Sequence, residues 1–119
     1  MIRVVRIHSY ERGLVFRRDE IVAMLRPGRH FLLGRLFRSR VEKIDTRGAW
    51  FSHPRLLEIV RSGLLGPDAV VLEFGSFERA IVSIDGRPAG VAGPGLQALW
   101  STIRKIEIER FDARQVWLV

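Results

Sequence analysis

The chain has 119 residues, of which 47% are hydrophobic and 28% are charged. This composition is typical of one small globular domain and excludes a disordered or fibrous chain. No apolar run reaches the roughly 18 residues of a membrane-spanning helix, and the N-terminus lacks the apolar core of a signal peptide, so we expect a cytoplasmic chain. Because cysteine is absent, disulfides, thiolate zinc sites and cysteine nucleophiles are excluded.

An internal repeat organises the sequence. Residues 10–51 align without a gap with residues 77–118, and equivalent positions are 67 residues apart throughout, as Tyr10 and Phe77 are. Such a match predicts one structural unit laid down twice. Twelve aligned pairs are identical: Val4/Val71, Ser9/Ser76, Glu11/Glu78, Arg12/Arg79, Val15/Val82, Pro27/Pro94, Gly28/Gly95, Leu32/Leu99, Glu42/Glu109, Asp45/Asp112, Arg47/Arg114 and Trp50/Trp117.

Short runs rich in β-branched residues predict that each copy is built from β-strands. The runs lie at 4–7, 13–16 and 40–44 in the first copy and at 70–74, 80–84 and 105–111 in the second. In the last strand of each copy the apolar positions are three residues apart, at Val41/Ile44 and Ile108/Phe111. This spacing breaks the period of two and predicts a shared β-bulge.

Two kinds of turn separate these strands. Asp85-Gly86 is the dipeptide best suited to a type I′ hairpin because both residues tolerate positive φ. Arg18-Asp19 takes the same place in the first copy, so we expect a hairpin there as well. Pro27-Gly28 and Pro94-Gly95 are turn pairs in which Pro fixes φ and Gly accepts a positive φ.

The two copies are joined by the one predicted helix. Ser52 or His53 can cap it, Pro54 suits its first turn, and it is expected to end at Gly63. Its predicted apolar stripe comprises Leu56, Leu57, Ile59 and Val60.

The predicted fold class is α+β and mostly β. A half of about 48 residues buries too little surface to be stable alone. We therefore expect a single domain over residues 1–119, with two pseudo-repeats, 4–51 and 71–118, and a helical connector over residues 52–70. The two pseudo-repeats should share one core or exchange strands between chains.

The order of these motifs resembles the opening of the SPFH (band 7) domain in the stomatin and slipin branch, and above all the N-terminal part of bacterial slipins. The second copy carries the resemblance in Phe77-Glu78-Arg79-Ala80-Ile81-Val82, Asp85-Gly86-Arg87, Gly93-Pro94-Gly95-Leu96 and residues 106–114. The first copy gives the same order from Tyr10-Glu11-Arg12 through Arg26-Pro27-Gly28 to Asp45-Thr46-Arg47.

The resemblance implies two tandem SPFH-like β repeats joined by one short helix. It also implies membership of a family of membrane-associated, oligomer-forming scaffolds that have membrane-bound proteases as partners. Slipins continue into the rest of the SPFH domain and an Ala/Glu-rich coiled-coil helix, a continuation that residues 1–119 do not include. From the resemblance we therefore carry over the fold module, self-association and apposition to a membrane.

No constellation of residues predicts catalysis. His8, His30 and His53 are scattered, and Glu58 lies about 140° round a helix from His53, so the two do not share a face. The glycine-rich stretch 86–95 lacks the Gly-Lys-Ser/Thr ending of a phosphate loop and contains two prolines. We therefore expect no catalytic, cofactor-binding or metal-ligating residue and a protein that is not an enzyme.

The repeated pairs Glu11-Arg12 and Glu78-Arg79 are expected to be structural. Adjacent residues on a strand point to opposite faces, so neither pair forms an acid/base couple, and interstrand ion pairs are the expected role. Trp50 and Trp117 either pack in the shared core or stay exposed and favour self-association.

The charge of the chain is concentrated in the first copy. The chain has 20 basic and 13 acidic residues and a net charge of +7. Residues 1–51 contain twelve bases and five acids, whereas residues 71–119 contain six of each. The densest basic segment interleaves apolar residues with five arginines: Arg26, Arg29, Arg35, Arg38 and Arg40.

We predict that these five arginines bind an anionic surface, because guanidinium groups pair with phosphates while their stems lie along apolar surface. The open alternative is a solvated face. The leading functional hypothesis is a non-enzymatic, self-associating scaffold or interaction module, which would lie peripherally at the inner face of the membrane. The runner-up is a basic β module that binds nucleic acid, for which the sequence offers charge and aromatic residues but no recognition helix or single-strand motif.

Overall fold

A computed structural model describes residues 1–114, and this part of the chain is mostly β, as predicted. Its one α-helix is α1 (Leu56–Arg61), and two 3₁₀ turns cover Gly34–Leu36 and Gly66–Asp68. The strands are β1 (Ile2–Ile7), β2 (Glu11–Arg17), β3 (Glu20–Leu25), β4 (Gly28–Leu33), β5 (Arg40–Asp45), β6 (Trp50–Phe51), β7 (Ala69–Phe74), β8 (Glu78–Ile84), β9 (Arg87–Ala92), β10 (Gly95–Trp100) and β11 (Ile106–Asp112).

The strands form four small antiparallel sheets. Sheet A is β1–β4 and sheet B is β3–β2–β5, both from the first half of the chain. Sheet C is β7–β10–β6 and sheet D is β9–β8–β11. Strand β6 belongs to the first half of the sequence but pairs with β10, so it ties the two halves together through the backbone.

Three apolar cores lie between consecutive sheets. Val5, Ile7 and Leu32 pack between sheets A and B. The central core joins the two halves, since residues of sheet B pack there against sheet C and helix α1: Leu14, Phe16, Met24, Phe51, Ile59, Leu65, Ala98 and Trp100. The third core lies between sheets C and D: Ala49, Leu72, Phe74, Ala80, Val82, Ala92 and Leu99.

The molecule is therefore a stack of four layers in the order A, B, C, D. Its extents are 64 × 27 × 17 Å and its radius of gyration is 16.9 Å. A compact chain of this length would have a radius of gyration of about 13.5 Å. The stack is thus elongated, and it has one outward-facing sheet surface at each end.

The position of a sheet in the stack decides the burial pattern of its strands. Strand β2 lies in sheet B, which is covered on both sides, and both Leu14 and Val15 are completely buried. Strand β8 lies in the end sheet D, and there Val82 is buried whereas Ile81 is 38% exposed. Burial alternates from Arg79 to Ser83 because, within residues 1–114, no further layer covers the outer face of β8.

Both expected hairpin turns form. Arg18 and Asp19 have φ values of 50° and 66°, and Asp85 and Gly86 have φ values of 53° and 82°. These are the positive values that a type I′ turn requires at both central residues. Glycine satisfies this requirement without strain only in the second turn.

The predicted bulge in the last strand is wrong. Strand β5 pairs with β2, and β11 with β8, in continuous register. The register shifts instead in the other two pairings. The β2–β3 pairing shifts between Val15 and Phe16 of β2, and the β8–β9 pairing shifts between Val82 and Ser83 of β8. The spacing of three arises because Val41 packs against the core between sheets A and B while Ile44 packs against the central core, on the opposite face.

Helix α1 forms in the expected connector but is short and begins later than predicted: Arg55 is its N-cap without a side-chain capping hydrogen bond, and Pro54 lies before the first turn. Helix α1 is followed by Gly63 with φ of 74°, the left-handed position that ends the helix. The carbonyl and Nδ1 of His53 accept the backbone N–H groups of Leu56 and Arg55 at 3.1 and 3.0 Å. Of the predicted apolar stripe, Ile59 is buried, but Leu57 is 49% exposed and does not belong to the core.

Candidate functional site

Two of the five predicted arginines are ion-paired within the molecule. Arg26 lies 3.3 Å from Asp68, the carboxylate that also pairs with buried Arg12. Arg40 lies 3.2 Å from Glu42 and stacks over the ring of Phe16. These two arginines are therefore held by intramolecular partners.

Arg29, Arg35 and Arg38 are the more accessible members of the set. Arg29 lies on β4, Arg35 in the first 3₁₀ turn and Arg38 just beyond it, and all three are exposed. Within residues 1–114, none of the three has a carboxylate at ion-pair distance. The basic segment thus presents its unpaired charge on one side of sheet A and at its rim.

An apolar surface borders these arginines on the outer side of sheet A. The register pairs Ile2 with Leu33, Val4 with Phe31 and Arg6 with Arg29, and directly paired residues point to the same side of a sheet. The four apolar side chains of these pairs are exposed: Ile2 by 64%, Leu33 by 54%, Val4 by 56% and Phe31 by 61%. We call this surface the head face, and it comprises Ile2, Val4, Arg6, Arg29, Phe31 and Leu33.

The head face could be found only in part from the sequence. The sequence places Phe31 and Leu33 among the arginines, but the interleaving does not show which residues share a side. That requires the pairing of β4 with β1, whose strands are separated by β2 and β3 in the chain. Strand β4 itself was not predicted.

A second candidate is an open groove of about 640 Å³ beside the central core. Nδ1 of His53 accepts the Arg55 N–H, so the ring proton lies on Nε2 and is donated to Glu42 over 2.8 Å. Glu42 lies eleven residues before His53 on another element, so helical spacing could not reveal this pair. Six residues line the groove: Asp19, Arg40, Glu42, His53, Pro54 and Arg55.

The charged groups of this groove neutralise one another. Asp19 lies 3.2 Å from Arg55 and 4.0 Å from Arg40. Arg55 also donates to Glu58 at 2.6 Å; this hydrogen bond lowers the pKa of the Glu58 carboxyl and raises that of Arg55. The network joins helix α1 to β5 and to the β2–β3 turn, which gives it a structural role.

The repeated glutamate-arginine pairs close the turn before β2 and before β8. Glu11 accepts the backbone N–H of His8 at 3.0 Å, and Glu78 accepts that of Gly75 at 3.0 Å. Hydrogen bonds from His8, first from its backbone and then from its ring, lower the pKa of Glu11. The expected interstrand ion pair occurs for Glu78, which lies 3.7 Å from Arg110, whereas Glu11 pairs with His8 on its own turn.

The two arginines of these pairs bind backbone carbonyls. The guanidinium of Arg12 donates to the backbone carbonyls of Ser9 and Glu11. The guanidinium of Arg79 donates in the same way to the carbonyls of Ser76 and Glu78. Arg12 has an additional carboxylate partner, Asp68 at 3.0 Å, whereas Arg79 has none among residues 1–114.

Comparisons of the chain with protein-family models, with curated proteins and with solved structures give no match. Within residues 1–114, no three histidine, aspartate or glutamate side chains are grouped so that they could hold a metal ion. In the same part of the chain, no helix combines the length and the apolar character needed to cross a membrane.

Proposed function

We propose that this protein is a non-enzymatic, self-associating scaffold module of the slipin-like SPFH type, built from two tandem copies of one β unit. The observation that carries the proposal is the head face, an exposed apolar surface at one end of the stack. The mutual neutralisation of the charged groups in the groove supports a non-enzymatic role, since no group there is held ready for a substrate.

The strand pattern supports the two-copy part of the proposal. Strands β1 to β4 have the same lengths as β7 to β10, and their bounds differ by the 67 residues that relate the sequences. The registers agree as well: Ile2 pairs with Leu33 and Ala69 with Trp100, two pairs related by that offset. The register shifts in β3 and β9 also lie at equivalent positions.

Equivalent side-chain contacts support it further. Arg47 stacks over the ring of Tyr10 at 4.3 Å and Arg114 over that of Phe77 at 4.7 Å. The same arginines bind Asp45 and Asp112 at 2.6 and 2.8 Å. The aspartate-x-arginine motif of the resemblance thus holds an aromatic ring at the start of β2 and, by the same contacts, at the start of β8.

Burial at equivalent positions indicates that the head face needs a partner. Phe31 and Leu33 are 61% and 54% exposed, whereas their equivalents in sheet C, Ala98 and Trp100, are each 1% exposed. In sheet C this surface is covered by sheet B and helix α1. Contiguous exposed apolar surface with a charged border is typical of protein interaction sites.

Sedimentation velocity over a range of protein concentrations tests the proposal. We expect wild-type protein to form species larger than the 13.7 kDa single chain, and Phe31→Glu to reduce them strongly. The matched control is Leu57→Glu, an equivalent change at a 49% exposed leucine of α1, which should associate as wild type does. A wild-type protein that stays a single chain at every concentration would refute self-association.

A second candidate function is binding to an anionic membrane surface. It is favoured by the accessible charges of Arg29, Arg35 and Arg38 beside the apolar residues of the head face, because each basic group near such a surface contributes about 1 kcal/mol. We expect flotation with anionic vesicles, weakened by salt and lost when these three arginines are changed to alanine. A variant that replaces three arginines of the second half, Arg87, Arg104 and Arg110, is the control of equal charge, and equal loss in both variants would argue against the site. A gel-shift titration at two salt concentrations tests the nucleic-acid alternative beside it.

A further inference from the structure

We infer that molecules of this protein associate head to tail, with the head face of one copy packed on the outer side of sheet D of the next. The inference rests on the proposed self-association and specifies its geometry. The outer side of sheet D, which we call the tail face, comprises Arg79, Ile81, Ser83, Pro88, Val91, Glu107, Glu109 and Phe111, as the registers of β8 with β9 and β11 define.

The template for this contact exists inside one molecule, where sheets B and C meet in the central core. The head face corresponds to the side of sheet C on which Ala98 and Trp100 lie in this core, although Val71, the equivalent of Val4, is 39% exposed there. The tail face corresponds to the side of sheet B that lies in the same core, where Leu14 and Met24 are 0% and 8% exposed. On the tail face their equivalents Ile81 and Val91 are 38% and 61% exposed. Both ends of the stack therefore expose apolar positions whose equivalents are buried in the middle of the stack.

The apolar bulk of the head face suits the same kind of contact. Phe31 is equivalent to Ala98 of sheet C, and Leu33 is equivalent to Trp100. The larger side chain of the two thus lies at the first position in sheet A and at the second in sheet C, and both positions are apolar in both sheets. A buried interface tolerates such an exchange when total volume is kept.

A backbone edge points to the same geometry. In sheet C the edge of β10 is occupied by β6, with Trp50 paired to Leu99 and Phe51 to Ala98. Among residues 1–114 the equivalent edge of β4 is unpaired. The equivalent of β6 in the second copy is Trp117-Leu118, which lies outside the described residues. Within the described residues the β4 edge is thus available for strand addition by a second molecule.

Charge favours a head-to-tail contact over a head-to-head contact. The head face contains Arg6 and Arg29 and no acidic residue, whereas the tail face contains Glu107 and Glu109 beside Arg79. Glu107 lies 3.6 Å from Lys105, so Glu109 is the carboxylate that faces the next molecule without an ion-pair partner among residues 1–114. Two head faces would bring like charges together, while a head and a tail face are complementary. Because the two surfaces differ, repeated contacts build a ring or an open filament.

Complementation between two blocked variants tests the inference. Phe31→Glu blocks the head face and Val91→Glu blocks the tail face, and each changed side chain is 61% exposed in the single molecule, so both variants should fold. Circular dichroism checks this. We expect each variant alone to sediment as a single chain, an equimolar mixture to form a complex of two chains and no more, and Leu57→Glu to assemble as wild type does.

The possible failures can be told apart. If Val91→Glu alone associates as well as wild type while Phe31→Glu does not, the head faces pair with each other; head-to-tail packing is then wrong and self-association stands. If both variants are single chains and their mixture is as well, the two faces do not bind each other and the inference is overturned. If wild-type protein itself is a single chain, the proposed function fails together with the inference.

Discussion

Leu14 and Ile81 are aligned positions of the sequence, 67 residues apart, and replacing each by alanine should lower the free energy of unfolding by unequal amounts. Leu14 is completely buried in the central core, and removing such a side chain leaves a cavity that costs about 3 kcal/mol. Ile81 is 38% exposed on the tail face, so its replacement should cost about 1 kcal/mol in a single molecule. The difference of about 2 kcal/mol arises because a following layer covers sheet B and none covers sheet D.

Urea unfolding followed by tryptophan fluorescence measures this difference. Both changes are made in the Phe31→Glu background, so that assembly does not cover Ile81. With an m-value of about 1.5 kcal/mol per molar urea, Leu14→Ala should lower the midpoint by about 2 M and Ile81→Ala by less than about 1 M. Equal shifts would refute the layer order, because they would mean that sheet C does not cover Leu14.

Three further predictions concern single contacts. Asp68→Asn leaves the buried guanidinium of Arg12 without its carboxylate and should lower the free energy of unfolding by about 3 kcal/mol. The control Asp85→Asn removes a carboxylate from an exposed ion pair and should lower it by less than about 1 kcal/mol. Equal losses in the two variants would contradict the role of Asp68. Arg18→Asn places a residue that tolerates positive φ in the β2–β3 turn and should stabilise the protein by about 0.5 kcal/mol in urea unfolding, and a lower midpoint would contradict this. Hydrogen bonds from Arg47 hold the pKa of the Asp45 carboxyl below its ordinary value of 3.8. The stability that this carboxylate contributes is therefore present above pH 3.8 and is lost as the pH falls through the lowered pKa. An NMR titration should show that Arg47→Gln raises the pKa of Asp45, and an unchanged pKa would exclude the ion pair.

Local sequence chemistry was enough to predict the hairpin turns and the end of the helix, but not its start at Leu56. Asp85-Gly86 and Arg18-Asp19 adopt the expected positive φ values, and the helix ends before Gly63 as expected. These features depend on the conformational preferences of a few neighbouring residues, so they can be seen without knowledge of the rest of the fold.

Features that depend on contacts distant in sequence could not be predicted. The three-residue spacing of Val41 and Ile44 predicts a bulge only if β5 packs on one face. In the structure β5 packs on both faces, so the two side chains can point to opposite sides of a regular strand. The pairing of His53 with Glu42 depends on how α1 docks beside β5. The exposure of Phe31 depends on its being in the first layer of the stack, which is a property of the whole molecule.

The association of one end of a molecule with the opposite end of the next is tested most directly by a thiol cross-link. The chain has no cysteine, so Phe31→Cys on the head face and Val91→Cys on the tail face together introduce two unique thiols. The residues 67 positions away from them, Ala98 and Met24, lie in the same central core, so a short bismaleimide should join the two thiols when a head face packs on a tail face.

We predict that treatment of the double variant with the bismaleimide gives a ladder of covalent multiples of the chain on a denaturing gel, while either single cysteine gives no ladder. A double variant that remains a single chain, or that yields only the dimer formed by Phe31→Cys alone, would contradict head-to-tail association.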